Sequence, residues 1–277
     1  MKRVVSVQDL CCMGKCSLTV ALPVLSAMGL SCSVLPTAVL SSHTAFPDPH
    51  CRDLTADLSA IAAHWQQVGA EFDGIGVGYL SCPEQAEAVL QVLDSLHAPL
   101  TVIDPVMGDH GRLYSRITDA HVQAMRQLCC RADVVLPNLT EAAFLTGVPY
   151  HAQPSDAALD AMLEGLLALG AKSAVITGVS REPGKTGFAG LHRELGPFSY
   201  QAAQIPRQLH GTGDMFSAVM LGALTLGTAL PDAGALAAGF VERVVRNTPE
   251  PTPFGARFEP VLPWLAGHSA QPEKASL

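Results

Sequence analysis

Short apolar runs alternate with amphipathic stretches along this chain. The runs are rich in Val, Ile and Leu, which predicts buried strands. These strands are predicted at residues 4–7, 32–39, 74–79, 100–103, 133–136 and 174–176. Between them, apolar residues recur every three or four positions, which predicts helices. These helices are predicted over residues 16–29, 54–68, 86–96, 122–128, 139–147 and 159–167, after residue 211, and over residues 233–247.

The alternation of strand and helix indicates an α/β fold in which a mostly parallel sheet is covered by helices on both faces, a three-layer αβα sandwich. Residues 187–191 and 198–202 are predicted to form an antiparallel pair at one edge. No internal repeat and no linker divides the 277 residues. We therefore expect a single domain over residues 1–266, followed by a disordered tail at 267–277.

Composition is consistent with this architecture and argues against several classes of partner. Hydrophobic residues make up 48% of the chain and charged residues 15%, enough apolar material for a core on both faces of a sheet. Two stretches without charge, residues 16–47 and 215–231, are interrupted by Gly, Pro, Ser or Thr. They are therefore read as buried segments, and no membrane partner is expected. The net charge of −8 and the lack of a basic run argue against a nucleic-acid partner.

The eight cysteines do not form a repeated C-x-x-C pattern, and the first residues do not resemble a signal peptide. We expect reduced thiols in a cytoplasmic protein. Cys11, Cys12 and Cys16 are close enough in sequence to raise the possibility of zinc, but no fourth ligand has a suitable spacing.

The segment Gly211-Thr212-Gly213-Asp214 carries the most chemical information in the chain. It opens an apolar helix, whose first N–H groups are unpaired and lie at the positive end of the helix dipole. Such a turn is an anion-binding site, and glycine lets the backbone approach the anion closely. A carboxylate beside an anion would repel it, so Asp214 makes sense as a base that removes a proton from a hydroxyl. The alternative is an ordinary helix start capped by Gly and Asp.

Further polar residues follow the predicted strands. In parallel sheets the ligand lies beyond the carboxyl ends of the strands, so these side chains are expected to gather at one edge. Any one of them could instead be a turn residue or a helix cap. They are Asp9, Thr44, Tyr79, Asp104, Asp109, Asn138, Glu141 and Thr177.

Phosphoryl transfer is the chemistry that this set fits. It needs a base, donors around the moving phosphoryl group and acids that hold Mg²⁺. Asp104, Asp109 and Glu141 are oxygen ligands suited to Mg²⁺, through water, while Asn138 and Thr177 could contact nucleotide phosphates. The chain has neither a G-x-x-x-x-G-K-[ST] phosphate loop nor a G-x-S-x-G nucleophile motif.

With these motifs the chain resembles the ribokinase-like superfamily and, within it, the pyridoxal kinases of vitamin B6 salvage. Beside residues 211–214, six blocks carry the resemblance in family order. They are residues 5–8, 41–44, 78–80, 104–109, 137–142 and 258–263. The resemblance implies the ribokinase-like fold, a homodimer, and transfer of the ATP γ-phosphoryl group to the 5′-hydroxyl of pyridoxal, pyridoxine or pyridoxamine.

The resemblance also implies a role for each matching position. Asp214 would be the base. Gly211, Thr212 and Gly213 would hold the transferring phosphoryl group. The Mg-ATP side would be lined by Asp104, Asp109, Asn138, Glu141 and Thr177. Thr44 and Tyr79 would face the pyridine ring.

Two positions depart from the family pattern. Many pyridoxal kinases have Ser where this chain has Asp9, and a carboxylate there could bind the polar edge of the ring or the ammonium of pyridoxamine. The 10–16 loop also differs from common versions, and we expect its Lys15 to be solvated rather than to cover the site.

Other interpretations remain at this point. Hydroxymethylpyrimidine (phosphate) kinase of thiamin synthesis shares the fold and the G-T-G-D segment, but it typically has a glycine-rich first loop and an acidic residue where this chain has residues 41–44. A catalytically silent ligand-binding protein on the same scaffold is a third possibility, against which the intact Asp214 argues. A redox or metal protein would have only the number of cysteines in its favour.

Overall fold

The computed structural model describes residues 1–43, 45–207, 209–250 and 253–269. The strands are β1 Arg3–Cys11, β2 Ser31–Leu40, β3 Cys51–Asp53, β4 Gly74–Val77, β5 Thr101–Ile103, β6 Gly108–Asp109, β7 Arg112–Leu113, β8 Val134–Val135, β9 Ser173–Val179, β10 Lys185–His192 and β11 Gly196–Ala203. The helices are α1 Leu18–Ala27, α2 Thr55–Gln67, α3 Gln85–Leu96, α4 Asp119–Cys129, α5 Leu139–Thr146, α6 Asp156–Leu169, α7 Thr212–Thr225, α8 Leu230–Asn247 and α9 Leu262–Ser269, with a 3₁₀ turn at Glu259–Val261.

One large sheet organises the molecule. Across the described residues it has nine strands in the order β11-β10-β9-β8-β5-β4-β1-β2-β3. The pairs from β9 to β2 are parallel, while β3, β10 and β11 add antiparallel edges. The predicted αβα sandwich with a mostly parallel sheet and an antiparallel edge pair is confirmed.

The core lies on both faces of this sheet because neighbouring residues of a strand point to opposite sides. On β1, Val5 and Val7 join a cluster with α2, α3, α4, α5 and α6, whereas Val4 faces α1, α7, α8 and α9. Strands buried on both faces read as continuous apolar runs, which is why the sequence pattern located them.

The chain moves from β1 to β2 on one side and later returns to place β4 on the other side of β1. This is a topological switch point, where the loops leave in opposite directions and open a crevice at the carboxyl end of the strands. The fold therefore predicts the ligand site at the ends of β1 and β4.

The structure corrects three sequence expectations. Strand β1 continues to Cys11, so Asp9 lies inside the strand, at an irregularity of register between Gln8 and Leu10. Pairing with β2, which runs on to Leu40, outweighs the polar residues that suggested an earlier end. Helix α9 extends to Ser269, three residues into the expected tail, and residues 270–277 lie outside the described part of the chain.

The third correction concerns short elements that the pattern missed, the edge strand β3 and the hairpin β6–β7. The hairpin joins its strands through His110 and Gly111, which both have positive φ as a tight two-residue turn requires. A Cβ at Gly108 would lie 2.3 Å from the Arg112 carbonyl oxygen, so only glycine allows this close approach. Two-residue strands are too short to show a hydrophobic period.

None of the helices in the described ranges combines the length and the apolar character that a membrane crossing would need.

Candidate active site

The turn that leads into α7 has the geometry of an anion site. Gly211 adopts the left-handed conformation with φ of 86°, and a Cβ there would lie 2.2 Å from the carbonyl oxygen of Lys15. Gly213 lies in the first helical turn, where an added Cβ would meet no atom within 4 Å. The Thr212 hydroxyl donates to the Leu209 carbonyl at 3.2 Å, so this residue would offer a ligand its backbone N–H. The backbone of the turn is therefore packed against other residues at Gly211 and faces open space at Gly213.

Asp214 lies in the first turn of α7, beside this open space. Burial raises the pKa of its carboxyl group to about 7, and the negative charges of Asp104 and Asp9 add to the effect. The nearby backbone N–H of Ser17 opposes part of the rise in pKa. A carboxyl group whose pKa lies near neutrality is suited to exchange protons with a substrate.

Asp104 follows β5 and is almost fully buried, with 8% of its surface exposed. Burial raises the pKa of this carboxyl group to about 6, although the Ser217 hydroxyl donates a hydrogen bond to Oδ2. Ser217 lies three residues after Asp214, so both side chains lie on the same face of α7. Sequence reasoning missed Ser217, and the three-residue spacing was the available signal.

Asp104, Asp214 and Ser217 line one narrow cleft, whose internal space of about 20 Å³ admits roughly one water. The rest of its lining comes from β1, β4, β5, α1 and α7. The tight packing explains Gly76 and Gly78 in this lining. Added Cβ atoms there would lie 2.9 Å from Leu221 and 2.3 Å from Gln8 Oε1 respectively.

Asp9 is 3% exposed, and its Oδ1 has no hydrogen-bond partner among the described residues. Burial raises the pKa of the carboxyl group to about 6, while the nearby Ser17 hydroxyl lowers it in part. A buried acceptor without a partner is rare, because desolvation is then uncompensated. The free oxygen therefore indicates a place where a ligand donates.

Tyr79 follows β4 and is half-buried. Burial raises the pKa of its phenol to about 12, and the nearby negative charge of Asp9 contributes. Tyr79 and Asp9 thus both lie near the switch point. Thr44 lies outside the described residues. Its neighbour His43 is buried, with its ring centroid 4.8 Å from that of His210, immediately before the anion turn.

Asn138 and Glu141 form a capping box at the start of α5. Asn138 Oδ1 accepts from the Thr140 and Glu141 N–H groups at 2.8 and 3.0 Å, and its Nδ2 donates to the Gly108 carbonyl at 2.8 Å. Glu141 accepts from the N–H groups of Asn138 and Met107, each at 2.9 Å. The helix-cap interpretation is correct for Asn138, and its contact with phosphate stays a prediction.

Glu141 nevertheless belongs, with Asp104, to the buried carboxylates of the site. Burial, and then the charge of Asp104, hold the pKa of its carboxyl group well above its usual range. Thr177 pairs with Asn138 in an isolated bridge between β9 and the start of α5, and it is half-buried. Asp109 differs from these buried residues. Its side chain is 51% exposed on the β6–β7 hairpin and lies 3.4 Å from His110 Nε2.

The sequence raised the possibility of zinc at the cysteines and predicted a solvated Lys15. Within the described ranges, no three His, Cys, Asp or Glu side chains are grouped closely enough to hold a metal ion directly. All eight cysteines are free thiols. The expectation that Lys15 is solvated is met only in part, since 27% of its side chain is exposed. Its ammonium lies 2.7 Å from Glu259 Oε1 and 5.5 Å from the ring centre of Phe258, which ties the 10–16 loop to the C-terminal segment.

Comparison with known proteins agrees with this geometry. A family model described as phosphomethylpyrimidine kinase matches residues 26–261. The pyridoxine/pyridoxal/pyridoxamine kinase of Bordetella bronchiseptica is 30% identical over 268 residues, which cover 89% of this chain and 89% of that protein. The chain belongs to the pyridoxal kinase family of the ribokinase-like superfamily.

Solved structures of similar proteins share the whole architecture. The pyridoxal kinase from Lactobacillus plantarum is 35% identical, with a TM-score of 0.89 over 97% of this chain and 98% of that one. A putative phosphomethylpyrimidine kinase from Bacteroides thetaiotaomicron, crystallised with pyridoxal, is 38% identical with a TM-score of 0.90 over 95% of each chain. The Bacteroides protein thus has the name of a phosphomethylpyrimidine kinase and was crystallised with pyridoxal.

Proposed function

We propose that this protein transfers the γ-phosphoryl group of ATP to the 5′-hydroxymethyl group of a B6 vitamer, as part of pyridoxal 5′-phosphate salvage. One observation carries the proposal. Asp214, with its pKa raised to about 7, lies in the first turn of an apolar helix, beside the open side of Gly213. An acid and an anion-binding turn in adjacent positions suit an alcohol that attacks a phosphoryl group.

In the proposed step, Asp214 accepts the proton of the vitamer 5′-hydroxyl as its oxygen forms the new bond to phosphorus. The bond from phosphorus to the oxygen of ADP breaks, and ADP leaves with that electron pair. The N–H groups of the 211–213 turn bind the three equatorial oxygens of the moving group, where negative charge is spread during the transfer.

On the nucleotide side we propose that Asp104 and Glu141 hold Mg²⁺ through water, with the exposed Asp109 at the rim. The residues fit a cation, because the negative charge of Asp104 raises the pKa of both Glu141 and Asp214, and a positive charge nearby would relieve this repulsion. Bound Mg²⁺ would neutralise charge on the nucleotide phosphates. We propose that Asn138 and Thr177 contact the nucleotide phosphates through polar atoms that take no part in the hydrogen bonds of the helix cap.

On the vitamer side we propose that Asp9 and Tyr79 bind the ring, together with Thr44. The free Oδ1 of Asp9 would accept a hydrogen bond from a ring substituent or the ring nitrogen, and Tyr79 would contact the ring by stacking or through its edge. The switch point between β1 and β4 thus binds the acceptor, while the ends of β5 and β8 bind the nucleotide.

A side-by-side screen tests the function. ATP consumption is measured with pyridoxal, pyridoxine, pyridoxamine and hydroxymethylpyrimidine, with the Asp214→Asn variant as the control for background hydrolysis. We expect turnover with at least one vitamer and little with hydroxymethylpyrimidine. Turnover with hydroxymethylpyrimidine alone would assign the protein to thiamin synthesis. Absence of turnover with all four would favour the silent binder.

Hydroxymethylpyrimidine (phosphate) kinase is the second candidate because the matching family model carries that description. Its substrate also presents a hydroxymethyl group on a heteroaromatic ring, so Asp214 and the 211–213 turn would serve it equally well. Residues on the ring side, above all Asp9, must therefore separate the two activities.

We also propose a homodimer, as the resemblance implies, and a cytoplasmic location, which suits a chain whose eight cysteines are all free. Light scattering on the purified protein measures the oligomeric state directly.

A further inference from the structure

The loop that follows β4 carries Tyr79 and lies beyond the part of the strand that pairs with β1 and β5. Two hydrogen bonds anchor this loop. The Thr37 hydroxyl of β2 donates to the Tyr79 carbonyl oxygen at 3.3 Å, and the Ser81 N–H donates to Gln85 Oε1 at 2.8 Å. Leu80 lies between the two anchors and is buried. The place of Tyr79 therefore depends on side chains outside its own strand.

Gln85 is the centre of these contacts. It is the first residue of α3, and its side chain is fully buried. Its Nε2 donates to the Thr37 carbonyl oxygen at 2.7 Å and to Asp53 Oδ2 at 2.8 Å, while its Oε1 accepts from Ser81. The Ser81 hydroxyl donates to the same Asp53 oxygen at 3.1 Å. The amide thus connects the loop after β4 with β2 and β3.

The orientation of the Gln85 amide is fixed by its partners. A flipped amide would place its NH2 group against the Ser81 N–H and its oxygen against the Thr37 carbonyl oxygen, and both contacts would be repulsive. In a buried position a mispaired polar group costs its full desolvation penalty. The hydrogen bonds therefore permit one arrangement of the amide, and the loop that carries Tyr79 is held by it.

We propose that Gln85 is a positioning residue that places Tyr79 at the vitamer side of the site. It acts on the loop from both sides of Leu80, through Thr37 before it and through Ser81 after it. Its amide is used entirely within these hydrogen bonds, so Gln85 itself is not a ring contact. The kinetic part of this inference rests on the proposed function, in which Tyr79 contacts the vitamer ring.

Two substitutions weaken this arrangement at different points. Gln85→Met keeps the length of the side chain and removes its hydrogen bonds, whereas Thr37→Val keeps the shape and removes only the bond to Tyr79. We expect KM for the vitamer to rise roughly five- to tenfold in Gln85→Met and roughly threefold in Thr37→Val. The kcat and the KM for ATP should stay within about twofold of the native values, because the phosphoryl-binding turn and Asp214 are unchanged.

Gln91→Met is the matched control. Gln91 lies on the same helix, is exposed, and accepts a hydrogen bond from the Ser59 hydroxyl at 3.0 Å. This variant loses a glutamine hydrogen bond away from the loop, so its kinetic constants should equal the native ones. Thermal unfolding measures the structural cost of each substitution. A lower unfolding temperature of Gln85→Met with a native KM for the vitamer would make Gln85 a purely structural residue and overturn the proposal. A native KM in Thr37→Val, which loses one hydrogen bond only, would overturn it too.

The link through Tyr79 is tested in the Tyr79→Leu background. If Gln85 acts on the vitamer through this ring, Gln85→Met should change KM several-fold less in Tyr79→Leu than in the native protein. Equal changes in both backgrounds would mean that Gln85 acts by another route, which would contradict the proposal.

An NMR measurement on the Tyr79 ring needs no enzymatic activity. The chain has four tyrosines, so protein with ¹³C-labelled tyrosine gives few ring signals, and Tyr79→Phe assigns the relevant one. We expect the Tyr79 signal to move or broaden in Gln85→Met and Thr37→Val and to stay native in Gln91→Met. An unchanged signal in the first two variants would overturn the link even if the protein phosphorylates vitamers. A moved signal in a protein without vitamer turnover would retain the link and reject only the proposed function.

Discussion

At the scale of single residues, the site is defined by carboxylates placed where their charge is costly. Asp9 and Asp104 have pKa values raised to about 6, and Asp214 to about 7, in each case chiefly through burial. Such groups destabilise the folded state when ionised, so their presence is easier to explain by function than by stability.

Asp214→Asn separates catalysis from folding. We expect turnover to fall by about 10²–10⁴-fold, because amide replaces the positioned base. The thermal unfolding temperature should stay equal or rise, because the substitution removes a charge that Asp104 and Asp9 repel. Asp57→Asn, at an exposed site in α2, is the matched control and should change neither measurement. Near-native turnover of Asp214→Asn would remove this residue from the proton-transfer step.

The raised pKa of Asp214 also predicts two pH dependences. The base must be ionised, so kcat/KM should fall by about tenfold per pH unit below about pH 7. The free energy of unfolding should change with pH in the opposite direction to kcat/KM. A folded-state pKa above the unfolded value stabilises the protein at low pH, and this contribution is lost as pH rises from about 4 to about 7. We expect denaturant unfolding across this pH range to show that the native protein loses stability relative to Asp214→Asn as pH rises.

Asp9→Ser tests the residue that departs from the family pattern. Loss of the carboxylate should lower kcat/KM for pyridoxamine relative to pyridoxine by roughly tenfold, because a carboxylate favours the cationic vitamer. Competition between the two vitamers, with product analysis, measures the ratio directly. An unchanged ratio would place Asp9 away from the substituent that distinguishes them.

At the scale of elements, the start of α7 combines three features within four residues. They are a left-handed glycine, unpaired N–H groups and an acid in the first turn. Ser217 follows one turn later and binds Asp104 at the end of β5. The helix thereby links the phosphoryl-binding turn to the proposed nucleotide side.

The two glycines of this turn should respond differently to alanine. Gly213→Ala adds a methyl group into open space within a helix, so stability should be unchanged or rise by about 0.5–1 kcal/mol. Activity should fall strongly, because the methyl group would occupy the position where the phosphoryl group is proposed to bind. Gly211→Ala forces a left-handed residue against the Lys15 carbonyl oxygen and should destabilise by roughly 1–2 kcal/mol or more. Full activity of Gly213→Ala would mean that the phosphoryl group binds elsewhere.

At the scale of the whole molecule, the parallel sheet brings distant segments to one edge. Residue 9 lies near the end of β1, residues 79, 104 and 138 follow β4, β5 and β8, and α7 comes from a later part of the chain. No single segment holds more than a part of the site, so ligand binding should stabilise the fold as a whole.

Magnesium removal tests this coupling. Chelation with EDTA should abolish ATP turnover, and added Mg²⁺ should restore it, whereas a zinc-selective chelator should have no effect. Mg²⁺ with ATP should also raise the thermal unfolding temperature of the native protein more than that of Asp104→Asn. Turnover that survives EDTA would contradict the proposed cation.

The amino-acid sequence by itself determined the order of elements and the type of fold. Buried parallel strands and amphipathic helices each leave a hydrophobic period that a single chain displays. It also determined where to look for chemistry, since a glycine turn before an apolar helix has the same local physics in any fold.

Only the tertiary structure decided how these residues act on one another. That β1 extends through Asp9 depends on pairing with β2. That Asp104 meets Ser217 depends on packing between segments far apart in sequence. Burial and the charge of neighbours set each pKa, and both arise only once the chain has folded.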